Sequence, residues 1–213
     1  MSEIHNKIIS YFKNKDNPII LDVGSFRLED SIIFSNLFPN GKIYSFECDS
    51  RNINAVNRMD YPDNIMFIEA AIGSIDGSVD FYPSNDVNFN TPWFLSGSLR
   101  SPKVHLQEHT VRFGKPVKVS CQRLDTWYKN SDIYGQIIQL AYVDTNGAEN
   151  DFIDGGLETL KFIDLLYIEV FEKEMYSGEK PKPFIINRLK ELGFELLFEH
   201  GHNICVKNIK LNA

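Results

Sequence analysis

The chain predicts an α/β fold: a mostly parallel, doubly wound sheet that finishes in an antiparallel β-hairpin. Three observations carry this reading. Short apolar runs alternate with segments of helical periodicity, as successive βαβ units require. The first run, Ile19-Ile20-Leu21-Asp22-Val23, is apolar almost throughout and suits a strand covered on both faces. The last regular stretch is a pair of strand-like runs, 194–199 and 203–207, joined by His200-Gly201-His202.

The elements follow in order. The first strand ends at Gly24. Residues 29–38 then place Ile32, Ile33 and Leu37, with Phe34 beside them, at helical spacing, and Pro39-Asn40-Gly41 stops that helix. Lys42-Ile43-Tyr44-Ser45-Phe46 is the second strand. Ser50 is placed to cap a helix carrying Ile53, Val56 and Met59, which Tyr61-Pro62-Asp63 ends. Residues 64–71 read as the third strand, and right-handed crossovers make the sheet doubly wound. Residues 75–78 form a turn, with Val79-Asp80-Phe81-Tyr82 as an edge strand or hairpin arm. Residues 83–116 are rich in Pro, Ser, Asn and Gly and weakly periodic; so long a stretch is expected to fold over a site as a lid. Regular order returns at 117–121, followed by a short helix at 124–129 and the fourth strand at 136–144. A helix at 148–160 carries expected breaks at Gly155-Gly156. The fifth strand is 165–171, and a helix at 183–192 is stopped by Gly193.

Composition bounds the function. The 213 residues are 43% hydrophobic and 24% charged, which fits one folded domain over 1–213 rather than two. The net charge of −7 argues against duplex nucleic acid as a partner. No apolar run approaches the ~20 residues needed to span a bilayer. The polar start, Met1-Ser2-Glu3-Ile4-His5-Asn6-Lys7, leads into no signal-peptide core, so a cytoplasmic location is expected. Cys48, Cys121 and Cys205 form no C-x-x-C pair and read as free thiols. The 16 Phe, 9 Tyr and 2 Trp permit a homo-oligomer interface without requiring one.

In an open α/β sheet, ligands bind beyond the carboxyl ends of the strands, where the strand order reverses. The strand ends therefore supply the candidates. At the first, Asp22-Val23-Gly24-Ser25 permits a sharp turn, close backbone approach and amides for an anionic group; the other reading is a plain strand-to-helix turn. At the second, Glu47, beside Cys48, is placed to accept ribose hydroxyls or to be a solvated loop acid. At the third, the small residues Ala70 and Ala71, with Ile72 and Gly73, leave room for a flat base or simply pack tightly. At the fourth, Val143-Asp144-Thr145-Asn146-Gly147-Ala148-Glu149 brackets a cleft mouth. Asp144 and Glu149 there can share a proton and act as a base, or cap a turn and a helix. Glu169, at the fifth, is a substrate contact or a paired structural acid. His105 and His109 are four apart, but no H-E-x-x-H surrounds them and Pro102 and Gly114 interrupt a helix, so no metal site is expected. The absent G-x-G-x-x-G argues against a dinucleotide cofactor.

These strings, taken in order from about residue 19 to 172, resemble the FkbM-type methyltransferases. The resemblance rests on Leu21-Asp22-Val23-Gly24-Ser25, Tyr44-Ser45-Phe46-Glu47, Ala70-Ala71-Ile72-Gly73 with Asp76-Gly77, and the run from Val143 to Glu149. It implies a Rossmann-like class I methyltransferase fold, S-adenosylmethionine as cofactor, and O-methylation of a hydroxyl on a sugar, glycan or small metabolite. Carried over by position, Asp22 and Gly24, with Ser25 alongside, would line the methionine part. Glu47, with Cys48, would hold the ribose, and Ala71 and Ile72 would border the adenine. Asp144 would lie next to the transferring methyl with Glu149 behind it, and Asn146, Glu149 and Glu169 would face the acceptor. Asp144 is the first choice as base, and His105 or His109 from the lid the second. Asn146 and Tyr142 stand where the family usually carries Glu and Lys, and Leu28 lies near its second glycine. These departures motivate the alternative of a non-catalytic, methyltransferase-like binding or scaffold domain.

Overall fold

A computed structural model describes residues 3–12, 16–86 and 94–212, so part of the expected lid, 87–93, lies outside the described residues. The chain opens with helix α1 (Glu3–Ser10), which the polar N-terminal sequence did not announce. It then runs through β1 (Ile19–Val23), α2 (Glu29–Leu37), β2 (Lys42–Phe46), α3 (Ser50–Val56) and β3 (Ile65–Ile68). Next come β4 (Ala71–Gly73), β5 (Gly77–Phe81), β6 (Ser84–Asp86), α4 (His105–Glu108), β7 (Val111–Phe113) and β8 (Val117–Arg123). The C-terminal half holds α5 (Leu124–Asn130), β9 (Ile138–Val143), α6 (Glu149–Gly155), β10 (Ile163–Glu169), α7 (Lys182–Leu192), β11 (Phe194–His200) and β12 (Asn203–Asn208).

Seven strands form the main sheet in the order β11-β12-β10-β9-β1-β2-β3. The pairs β1–β2, β2–β3, β1–β9 and β9–β10 are parallel, and the closing hairpin β11–β12 is antiparallel, as is its pairing to β10. Every side chain of β1 is buried, which explains its unbroken apolar run. Leu21 and Val23 pack with Phe152, Ile153, Ile185 and Leu189 of α6 and α7. Ile20, between them, packs with Ile8 of α1, Phe34 of α2 and Val56 of α3 on the opposite face. Two helical layers thus sandwich one sheet. The order reverses at β1, which has β2 on one side and β9 on the other, so the crevice opens at the carboxyl ends of β1 and β9.

Two expected elements differ. The third strand, read as 64–71, leaves the main sheet after Ile68. Its continuation, β4, joins a second sheet of order β4-β8-β5. The cap of α3 is Asp49, whose carboxylate accepts from the Arg51 amide at 2.9 Å, rather than Ser50. The helix beginning near 148 does break at its glycines. A Cβ on Gly155 would stand 1.9 Å from the Gly73 carbonyl oxygen, so only glycine lets α6 lie against β4. Inside 83–116, β6 pairs with β7, and Arg51 fastens β6 to α3 through the Ser84 carbonyl and Asn85 Oδ1, both at 2.9 Å.

Candidate functional site

A cleft over the ends of β1, β2, β4 and β9 is lined by Asp22, Gly24, Ser25, Glu47, Cys48, Ala71, Ile72, Asp144 and Asn146, nine of the residues singled out from the sequence. Gly24 makes the close approach between strands possible. Its φ is +88°, and a Cβ there would stand 1.8 Å from the Asp144 carbonyl oxygen. The amides of Gly24 and Ser25 are not offered to an anion, however. Both donate to the Phe46 carbonyl, at 3.0 and 2.9 Å, and so lock the turn onto β2. Leu28 takes the left-handed backbone (φ +65°) near the expected second glycine. That conformation costs a non-glycine residue about 1–2 kcal/mol, and the wholly buried Leu28 side chain offsets it by packing beside Phe34 and Ile20.

Asp22 is 2% exposed. Ser31 donates its hydroxyl to Asp22 Oδ2, and the Ser45 hydroxyl lies 2.6 Å from that of Ser31. Sequence reasoning missed both serines; their signal was a polar residue on an otherwise apolar strand and on the inner face of α2. Burial pushes the Asp22 carboxyl up to about 7 despite the Ser31 bond. Glu47 is treated similarly. Its Oε1 accepts from the amides of Cys48 (2.6 Å) and Asp49 (2.7 Å), and its Oε2 takes only the Asn52 amide at 3.2 Å. Burial again wins, raising Glu47 to about 7. Burial also drives the Cys48 thiol well above its ordinary range, so it is a neutral lining group. Two buried polar atoms of lining residues, Ser25 Oγ and Asn52 Oδ1, have no partner among the described residues.

The fourth strand end rearranges one expectation. Asp144 and Glu149 do not form the carboxylate pair. Glu149 is turned into its own loop, where Oε1 accepts from the Thr145 amide (3.2 Å), the Thr145 hydroxyl (2.9 Å) and the Gly147 amide (3.1 Å). It is 3% exposed, lies outside the cleft lining, and is raised by burial to about 8. Asp144 is instead hydrogen-bonded to Glu169, also outside the lining, and its Oδ1 accepts from Asn146 Nδ2 at 3.4 Å. Asp144 itself is open to the cleft, while the protein mass around it still withholds enough solvent to raise its carboxyl. Asn146, with φ +52°, ties the segment 95–98 to this loop. Its Nδ2 donates to the Leu95 carbonyl at 3.1 Å, and its carbonyl accepts from the Ser98 hydroxyl at 2.6 Å.

The histidines are placed elsewhere. His105 is 5% exposed, packed between Tyr176, Phe113 and His109 at centroid distances of 5.3, 5.2 and 4.5 Å, and neither His105 nor His109 lines the cleft. Burial and the neighbouring His109 lower His105 to about 4, so it is a neutral packing residue at physiological pH rather than a poised base. Tyr142, by contrast, does line the cleft, stacked between Tyr167 (4.9 Å) and His5 of α1 (6.1 Å).

Three buried acids with raised pKa values contribute to the pH dependence of stability. An acid raised on folding favours the folded state at low pH, and that contribution disappears as pH climbs through the folded pKa. Asp22 and Glu47, both near 7, and Glu149, near 8, start from 3.8, 4.5 and 4.5. The ligand-free protein is therefore expected to lose thermal stability steadily from about pH 5 to about pH 8, as read by calorimetric melts. A flat profile there would show that the three carboxyls are already ionised in the native state.

Residues 16–196 match the methyltransferase FkbM domain. The 2-O-methyltransferase NoeI of Sinorhizobium fredii (strain NBRC 101917 / NGR234) is 35% identical over 213 residues, 98% of this chain and 86% of its own. The crystal structure of methyltransferase FkbM from Methylobacillus flagellatus KT shares the fold with a TM-score of 0.55 at 10% identity. That match covers 93% of this chain and 45% of that one, so this chain spans about half its length. Magnesium protoporphyrin IX methyltransferase (ChlM) from Synechocystis PCC 6803, solved with bound SAM, has a TM-score of 0.50 at 8% identity over 95% of this chain and 74% of its own. Among the described residues no helix is long and apolar enough to cross a membrane. The domain match spans most of the sequence and a curated relative agrees along nearly all of it: the chain belongs to the FkbM-domain methyltransferases.

Proposed function

We propose that this protein is an S-adenosylmethionine-dependent O-methyltransferase acting on a hydroxyl of a sugar or other small metabolite, with Asp144 as the base. The observation that carries the reading is Asp144 itself, a carboxylate open to the cleft at the switch point of a methyltransferase sheet. The 2-O-methyltransferase relative supports oxygen as the acceptor atom. The comparisons give the non-catalytic alternative no support. A cytoplasmic location fits the composition.

The cleft residues fit the cofactor. Ser25 Oγ and Asn52 Oδ1 are buried polar atoms that a polar ligand would satisfy. Glu47 Oε2 has acceptor capacity left for ribose hydroxyls, because the loop amides fall on Oε1. Phe46, Ala71, Ile72 and Phe81 give an apolar wall for the base. Asp22, Asp30 and Asp144 make the adjoining side acidic, which favours a cationic ligand. When bound, S-adenosylmethionine supplies an electrophilic methyl on a positively charged sulfur. Asp144 takes the acceptor proton, and Asn146 and the segment 94–99 shape the acceptor's approach.

Calorimetric titration with S-adenosylmethionine and S-adenosylhomocysteine tests the seat. Micromolar binding is expected, and Glu47→Ala is expected to weaken it at least about tenfold, or ~1.4 kcal/mol. A folded wild type that binds neither would overturn the reading. Label transfer from methyl-labelled cofactor to a panel of free hexoses, deoxyhexoses and simple alcohols then tests the acceptor class.

A further inference from the structure

The carboxyl ends of β9 and β10 bring two acids together. The strands are parallel with Ile168 opposite Val143, so the next residues, Glu169 and Asp144, emerge side by side. Their carboxyls share a hydrogen bond. Asp144 is the member reached from the cleft, and Glu169 stands behind it. Glu149 from α6 and Glu179 from the loop before α7 also face Glu169, as do Tyr167 of β10 and Tyr176. Asp30 and Tyr142 face Asp144, and Asp22 adjoins it. Arg100 faces Glu179 and is paired with Asp151 at 2.8 Å.

Two hydrogen-bonded carboxyls set among further acids cannot both be ionised, so one of them holds a proton. Solvent access decides which one. Asp144 is exposed to the open cleft, whereas Glu169 is only partly exposed and faces three other carboxyls. We propose that Glu169 is a proton-holding positioning residue: as the neutral acid it donates to Asp144, keeping Asp144 ionised and aimed at the acceptor hydroxyl. The inference rests on Asp144 as the base. In transfer, the acceptor oxygen bonds to the methyl as the sulfur–methyl bond breaks with its electron pair on sulfur. The hydroxyl proton passes to Asp144, Glu169 keeps its own, and Asp144 returns the extra proton to water through the cleft.

Infrared spectroscopy of the cofactor-free protein tests this without an acceptor. At about pH 9.5 Asp22 and Glu47, raised to about 7, and Glu149, raised to about 8, are ionised. One protonated-carboxyl C=O band is expected to survive there in the wild type and to be absent from Glu169→Gln. A band retained in Glu169→Gln, or missing from the wild type, overturns the proposal. With an acceptor from the panel, Glu169→Gln, whose amide still donates to Asp144, is expected to keep kcat within about threefold at neutral pH and to lose the wild type's alkaline decline. Glu169→Ala is expected to lose about tenfold or more. Equal losses in both variants with an unchanged pH profile would mark Glu169 as structural only, and a change confined to acceptor KM would mark it as a substrate contact; either sinks the proposal. If the wild type transfers no methyl at all, the assignment of activity fails, while the infrared result still decides where the proton sits.

Discussion

Asp144→Ala lowers the methyl-transfer rate at saturating cofactor by about 10²–10⁴-fold, the range that a positioned general base contributes, without lowering the unfolding midpoint. The two halves of this expectation come from different atoms. The Asp144 amide, which alanine retains, donates to the Val23 carbonyl at 2.9 Å and holds β9 to β1. The carboxylate contributes repulsion with Asp22, Asp30 and Glu149, which lie within its electrostatic reach, and this offsets the hydrogen bond from Glu169 that the variant loses. Its removal relieves a crowd of acids and leaves no buried cation unpaired. Asp144→Asn separates charge from shape: it keeps the side-chain volume and a hydrogen-bond acceptor for Glu169 but accepts no proton. Rate assays and thermal melts of both variants check this. A rate within threefold of wild type in either variant places the base elsewhere, and Asp22, which also lines the cleft, becomes the next candidate.

The main sheet was legible because its strands are short apolar runs punctuated by Gly and Pro, and β1, β2, β9 and β10 fall where that pattern predicts. The cofactor side was legible for the same reason, since a parallel sheet delivers the residues that end its strands to one crevice. What stayed hidden depends on lateral placement. Which acid partners Asp144 is set by the register of β10 against β9, and nothing in the run from Val143 to Glu149 encodes Glu169. The sequence-adjacent Glu149 is instead drawn back to its own loop amides. His105 and His109 looked eligible because weak periodicity gave no inward face to residues 83–116; packing against Tyr176 turns His105 away from the cleft. Helix α1 is only eight residues long. Its apolar face becomes visible once Ile8 is seen under β1, with His5 bonded to Asp30 at 2.7 Å. The departure of the chain from the main sheet after Ile68 was marked only by Glu69, in a run that is apolar again through Ile72.

Gly24→Ala is expected to destabilise the fold by about 3 kcal/mol or more and to abolish cofactor binding in whatever remains folded. Backbone strain accounts for a small part, because a left-handed alanine costs about 1 kcal/mol. The larger part is steric. The new Cβ would sit 1.8 Å from the Asp144 carbonyl oxygen, where ordinary contacts lie at 3.4–4 Å, and the obstacle is backbone that no rotamer change removes. Relief requires β1 and the loop after β9 to part, which breaks the bond from the Asp144 amide to the Val23 carbonyl and carries Asp144 away from the cleft floor. Gly135→Ala isolates the first effect from the second: its φ is +82°, but nothing lies within 4 Å of the added Cβ. Urea unfolding of the two variants should therefore differ by about 2 kcal/mol or more, with cofactor affinity unchanged in Gly135→Ala. Equal and small losses would mean that the two strand ends can separate freely, and a crevice that yields so easily would not hold Asp144 where methyl transfer needs it.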